Sequence, residues 1–285
     1  MHINSISCGQ GAPSLFLIIM AGEGMFPAEV VVAADTGWEN DCLWSTGERT
    51  TNKEFFERVT KPLAERYGLQ AYFSRSLDKN KEPYLPIPDS ILTKRPLAGS
   101  EQFPSPIYGY DIPVFGSEGG RLKQSCTSKW KIQAIHQTLR RLGAKTSRTA
   151  IGLHHDEIHR VKPSQVQWDS LCWPLIDLTQ SEDGSPVSMG IGRTWGRQDI
   201  QDEMNSRGIP YLVTTECDGC PHKNWERWKR TSPHTIKNLS ALEASWQGEF
   251  FLTSERIPLL DALKVIQEKN ADGVDDVCDS GYCFT

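Results

Sequence analysis

The stretch HINSISCGQGAPSLFLIIMA, residues 2–21, constrains the fold more than any other part of the chain. His2 to Ser7 reads as a short buried strand. The run after it reads as a helix over 13–22, with Pro13 in the first turn, where no backbone donor is needed. Gly9 and Gly11 lie between the two. A strand, a glycine-bearing turn and a helix start aim free backbone N–H groups at one spot, which suits an anion. Glycine allows close backbone approach, and Ser7 and Ser14 can add hydroxyl donors. The same pattern also serves as an ordinary strand–turn–helix connection.

A second segment favours the anion site. AEVVVAADTGWEND, residues 28–41, is another buried strand, ending in Asp35, Thr36 and Gly37. In an open parallel sheet, ligands sit beyond the carboxyl ends of the strands. The loop and Asp35 both fall on that edge, although Asp35 also suits a cap for the turn that follows.

The pattern continues as strand 2–7, helix 13–22, strand 29–34, helix 52–67 and strand 71–74. This alternation predicts an α/β fold with a doubly wound, mostly parallel sheet. Residues 76–120 are rich in proline and glycine and read as a long loop or flap over the sheet edge. A basic amphipathic helix is expected over 129–142, a strand over 150–153, a further strand at WPLID (173–177), and a helix over 197–207 closed by Gly208. With 285 residues the chain can hold a full α/β core and a smaller appended part. The expected division is an α/β domain over 1–180, with the insertion at about 76–120, and a helical part over 181–285.

No apolar run reaches membrane-spanning length, and the start lacks the pattern of a secretory signal, so a cytoplasmic protein with no membrane partner is expected. The net charge of −5 argues against a general polyanion binder, but the charge is unevenly spread. From Gly119 to His155 there is no Asp or Glu, while Arg121, Lys123, Lys129, Lys131, Arg140 and Arg141 all lie there. A second basic stretch, HKNWERWKR (222–230), carries Lys223, Arg227, Lys229 and Arg230 among tryptophans. Such runs point to a phosphate-rich partner, either a nucleotide or a nucleic acid.

In a reducing compartment, the eight cysteines are metal ligands or free thiols before they are disulfides. CDGCP (217–221) is a Cys-x-x-Cys turn, spaced for two thiolates on one metal or cluster, or for a redox pair. Cys126 and either Cys278 or Cys283 can complete a four-thiolate set with Cys217 and Cys220. Zinc is the simpler metal.

In this order the pieces SCGQGAPS, ADTGWEN, QSCTSKWKIQAIHQTLRR, IGLHHDEIHRVKPS, WPLI and CDGCPHKNWERWKRTSP resemble the phosphoadenosine phosphosulfate (PAPS) reductase-like family of adenine-nucleotide α-hydrolase-like, PP-loop proteins. The resemblance covers most of the chain. It is closest to a phage and bacterial branch with a Ser-x-Gly-x-Gly-x-x-Ser loop, matched by Ser7, Gly9, Gly11 and Ser14. It implies a four-iron four-sulfur cluster on Cys126, Cys217, Cys220 and Cys283 or Cys278. It also implies phosphate contacts from Thr36, Gly37 and Arg160. The departures matter. Cys8 stands where PP-loop pyrophosphatases carry glycine, no aspartate follows, and Pro13 removes one backbone donor. CDSGYCFT does not match the catalytic cysteine motif of sulfonucleotide reductases. Sulfate reduction is therefore disfavoured and ATP cleavage is weakened.

At the sheet edge the residues expected to carry chemistry are Asp35, His155, Asp156 and Glu157. The cluster HHDEIHR also suits a solvated helix start. Three functions follow. The first is a DNA-directed enzyme, one that excises or modifies a base, plausible by analogy in conflict between phage and host over modified DNA. Its pocket would hold a flipped nucleotide, Asp35 would stabilise charge on the sugar, and the basic runs would hold the strand. The second is an ATP-dependent sulfur- or group-transfer enzyme. The third is a non-catalytic nucleotide or nucleic-acid binding module with a structural metal.

Overall fold

The computed structural model describes residues 1–90, 95–96, 108–109, 114–117 and 126–271. Seven strands form the central sheet: β1 (His2–Ser7), β2 (Val30–Ala34), β3 (Gln70–Ser74), β4 (Thr146–Ile151), β5 (Asp169–Trp173), β6 (Leu178–Gln180) and β7 (Pro186–Ser188). Their order across the sheet is β7-β6-β5-β4-β1-β2-β3. The first five are mutually parallel, and β6 and β7 add an antiparallel edge. The chain starts in the middle, winds outward through β2 and β3, then returns to place β4 on the other side of β1. The crevice between β1 and β4 is thus the point where the winding reverses, the usual ligand position in such a sheet.

Alternate residues of the strands face two different layers. Ile6, Val31, Ala33, Ala150 and Cys172 join one core with α1 (Ala12–Gly22), with α2 and with α4 (Arg197–Ser206). The α2 helix runs through Asn52–Phe55, a π-type stretch Phe56–Thr60 and Lys61–Arg66. Ile3, Val30 and Val32 face Ile135 and Leu139 of α3, which comprises a π-type stretch Thr127–Ile132 and the regular Gln133–Arg141. Helices therefore cover both faces, as expected for buried parallel strands. The α1 helix is apolar on nearly all sides because it is enclosed, and Pro13 sits in its first turn after the extended Gly11. A capping box between Thr51 and Glu54 starts α2.

The expected strand over 150–153 instead spans Thr146–Ile151. The WPLID segment is not a strand. The strand lies before it, at Asp169–Trp173, and Pro174–Ile176 form one tight 3-10 turn. Proline has no N–H to donate to a ladder, so the strand stops there. The first core does not end at residue 180: it takes in Trp195, Ile200, Met204, Tyr211 and Leu212. A second, tryptophan-rich core joins Trp38 and Trp130 to Trp228, Leu239, Trp246 and Leu259, from α5 (Trp225–Lys229), α6 (Pro233–Ser245) and α7 (Leu259–Ala271). No described helix is long and apolar enough to cross a membrane.

Candidate functional site

A cleft of about 250 Å³ opens at the carboxyl ends of β1 and β4. Ser7, Gly9, Gly11, Pro13 and Ser14 form its floor, and Gly152, Leu153, His154, Glu157 and Arg160 form one wall. Arg197 and Gln201 of α4 close another side. Residues 211–213, 215 and 216, with Arg227 and Arg230, complete it.

The loop is rigid for reasons visible in its neighbours. Gln10 is fully buried with a left-handed backbone, φ 63°. Its side chain donates to the Asn52 carbonyl (3.2 Å) and accepts from the Thr60 hydroxyl (2.9 Å). The Leu212 N–H donates to the Gln10 carbonyl at 3.1 Å, which lays the 211–216 segment along the loop. Gly152 approaches closely: a Cβ there would stand 3.0 Å from the Ser14 amide nitrogen. Glycine keeps that approach open. Burial pushes the Cys8 thiol up to about 11, against the Gln10 backbone and Ser14 hydrogen bonds, so Cys8 stays protonated near neutral pH, its thiol donating to the Ser14 hydroxyl at 3.7 Å.

Opposite the loop, a 3-10 turn, His155–Arg160, follows β4. His154 precedes it with an extended backbone and is 3% exposed. Its Nδ1 lies 3.2 Å from the Asp156 carboxylate and its Nε2 lies 3.3 Å from that of Glu157. Glu157 also accepts from Arg160. His154 thus lies between two carboxylates, one of which, Glu157, is itself part of the cleft lining. Four arginines, 160, 197, 227 and 230, line this one cleft together with the start of α1. The arrangement can hold a phosphate-sized anion beside an acid–base pair.

The residues expected from sequence divide sharply. Ser7, Gly9, Gly11, Ser14, Glu157, Arg160, Arg227 and Arg230 meet in the cleft. His155 does not; it is exposed, and its neighbour His154 occupies the inward position. Asp156 is exposed and accepts from the Arg197 N–H at 3.2 Å, which holds its carboxyl below the usual range. Asp35 is also outside the cleft lining. It accepts from the Gly37 N–H (2.8 Å) and pairs with Arg75 through Nε and Nη2 at 3.0 and 2.7 Å. Thr36 and Gly37 build the same turn: the Thr36 hydroxyl caps Trp38, and Gly37, at φ 68°, packs on Pro86.

The basic helix is no single docking face. The Lys129 ammonium sits 4.6 and 4.5 Å from the ring centroids of Tyr84 and Trp130. Lys131 is half-buried and pairs with Glu39 at 3.3 Å, in a small hollow adjoining the loop. Arg140 stacks 3.8 Å over Trp168 and donates to the carbonyls of Ala144 and Lys145. Arg141 is exposed. Because α3 runs opposite to the strands, these last two arginines sit at the amino edge of the sheet, where Lys145 bonds Met1, far from the cleft. In the second stretch Lys223 bonds Thr231 and Lys229 pairs with Glu226. Arg121 and Lys123 lie outside the described residues.

The Cys217–Cys220 turn closes with the Cys220 N–H on the Cys217 carbonyl, 3.1 Å. Gly219 within it packs so tightly on Trp38 that a Cβ would fall 2.3 Å from the ring. Asp218 accepts from the Asn40 and Asp41 N–H groups, and burial raises its carboxyl to about 6. Cys126 and Cys217 both pack against the second core. Among the described residues no three His, Cys, Asp or Glu side chains converge as a metal site, and Cys278 and Cys283 lie outside those residues.

Sequence reasoning missed Gln10, Gly152, Arg197, Gln201 and the 211–216 segment, and it placed His154 at the sheet edge but gave the catalytic role to His155. For His154 the signal was present, since it is the first polar residue after the strand. Gln10 and Gly152 stand inside SCGQGAPS and IGLHHDEIHRVKPS but at positions given no role there, and Arg197, Gln201 and the 211–216 segment come from stretches without any motif. No family model, curated protein or solved structure matches the chain.

Proposed function

We propose that the cleft takes a phosphate-bearing nucleotide unit and that the protein acts on DNA, excising or modifying a base. The observation that carries this reading is the convergence of four arginines and the α1 amino end on the crevice where the sheet reverses. A volume of about 250 Å³ suits one nucleotide rather than a dinucleotide. Holding a single unit requires it to leave the base stack, which costs a few kcal/mol and is easiest for a damaged, modified or unpaired base.

In this reading the carboxylate beside the sugar is Glu157 rather than Asp35, because Glu157 lines the cleft and Asp35 lies outside its lining, tied to Arg75 and Gly37. Glu157 stabilises positive charge that builds on the sugar as the N-glycosidic bond opens, His154 gives a proton to the departing base, and a solvent water adds to C1′ and returns a proton to His154, leaving free base and an abasic sugar. Arg160 holds Glu157 in place. Cys217, Cys220 and Cys126, with Cys283 or Cys278, are proposed to hold an iron–sulfur cluster or a zinc ion. Soft thiolates suit either, and the site's role would be structural, since the turn links two stretches of the cleft wall.

The test is incubation with plain and modified DNA, without ATP, scored for free base or alkali-labile sites. Wild-type protein is expected to yield product. Glu157→Gln is expected to retain DNA binding and lose at least a hundredfold in turnover. Product formation that requires ATP and releases pyrophosphate would move the group-transfer reading to first place.

A further inference from the structure

Three acids buried in this part of the fold, Glu39, Glu216 and Asp218, each raise the Cys42 thiol by their charge. Two are compensated inside the fold. Glu39 pairs with Lys131 and accepts from Asn52, and Asp218 accepts from two backbone N–H groups. Glu216 is different. It is 9% exposed and lines the cleft. Its Oε2 accepts only from the adjacent Thr215 N–H, at 3.2 Å, and its buried Oε1 has no hydrogen-bond partner among the described residues. A buried carboxylate oxygen left without a donor is costly. The other carboxylate of the cleft, Glu157, is paired with Arg160, so a cleft with four arginines and an unpaired Glu216 oxygen suits a ligand that is anionic at one end and rich in donors at the other.

We infer that Glu216 reads the nucleobase, accepting the adjacent N–H donors on the edge of a guanine-type base whose phosphate lies against the arginines. This rests on the nucleotide reading above. Within a DNA strand the sugar has no hydroxyl to offer, since both ester oxygens are bonded and the 2′ position is bare. The donors left are on the base. Guanine presents a ring N–H and an amino group side by side, which match an ionised carboxylate that only accepts. Adenine and cytosine offer one amino group each. The ring N–H of thymine lies between two carbonyl oxygens that repel a carboxylate.

The full-length protein is titrated calorimetrically with dGMP, dIMP, dAMP, dCMP, dTMP and inorganic pyrophosphate, in EDTA and again with magnesium. The wild type should bind dGMP at least tenfold tighter than dTMP. It should bind dIMP, which lacks the amino group, about tenfold more weakly than dGMP. Glu216→Gln should weaken dGMP about ten- to a hundredfold while leaving dTMP and pyrophosphate within twofold. Glu216→Asp, which keeps the charge, should retain part of the preference. Equal loss for all ligands, no loss, or an effect seen only with magnesium would overturn the assignment. The wild-type comparison of dGMP with dIMP tests it even where a variant does not fold. If the wild type binds neither pyrophosphate nor any nucleotide, the cleft reading itself fails first.

Discussion

Between Lys129 and Arg140 three cations are tied down by neighbouring rings, a carboxylate and carbonyls, whereas between His222 and Arg230 two of them reach the cleft. In the first stretch Lys129 lies over aromatic rings, Lys131 pairs with Glu39, and Arg140 covers Trp168 and bonds two carbonyls beyond its helix. In the second, Arg227 within a short helix and Arg230 at its end line the phosphate-sized space. The two look alike in sequence. Direction separates them: a crossover helix runs against its strands, so its carboxyl end is carried to the edge opposite the ligand crevice. Charge density along a chain is thus a statement about partners only after the helix polarity is known.

The contrast can be broken most strongly at the cleft. Reversing Arg227 and Arg230 to Glu removes two charge-assisted donors and adds repulsion. Pyrophosphate and DNA affinity should fall by about 3–6 kcal/mol, more than a hundredfold, by calorimetry or filter binding. Retained affinity would show that the anion binds elsewhere. Next in size is the inner pair. Lys131→Met leaves Glu39 buried without its cation, and urea unfolding should show a loss of about 3–5 kcal/mol, much of it recovered in the Lys131→Met, Glu39→Gln double variant. Smallest are the two arginines at the far edge. Arg140→Ala should reduce stability by about 1–2 kcal/mol through the lost stack and carbonyl contacts, with unchanged affinity. Arg141→Glu should change stability by less than about 0.5 kcal/mol and leave binding alone.

What could be read in advance follows the same logic of local against distant information. β2 and α1 were legible because each is a buried apolar run flanked by glycine or proline, and β1, with only Ile3 and Ile6 apolar, was legible from the glycine turn and apolar helix that follow it. β4 was placed late because it opens with Thr146, Ser147 and Arg148, whose polar side chains hide a strand whose Ser147 and Thr149 bond the buried Asp169. The choice of His155 over His154 was a matter of one residue's rotation, fixed only when the backbone leaves the strand extended and then turns. Asp35 illustrates the limit on the other side. Its position at the strand end was read from the sequence, but its partner, Arg75, lies on the far side of a helix and a strand, and no spacing rule joins them. Glu216 and the 211–216 segment carry no motif and enter the site only because they lie along the loop.

The left-handed Gln10 has a consequence for how recognition proceeds in time. A non-glycine residue in that conformation costs about 1–3 kcal/mol, and it is retained here because its buried amide ties the loop to Asn52 and Thr60 of α2. The loop therefore holds its shape before any ligand arrives. An anion entering it loses its own freedom but does not have to order the protein as well. Encounter is then limited by diffusion and steering rather than by rearrangement. Differences between good and poor ligands appear in how long each one stays, not in how often it lands.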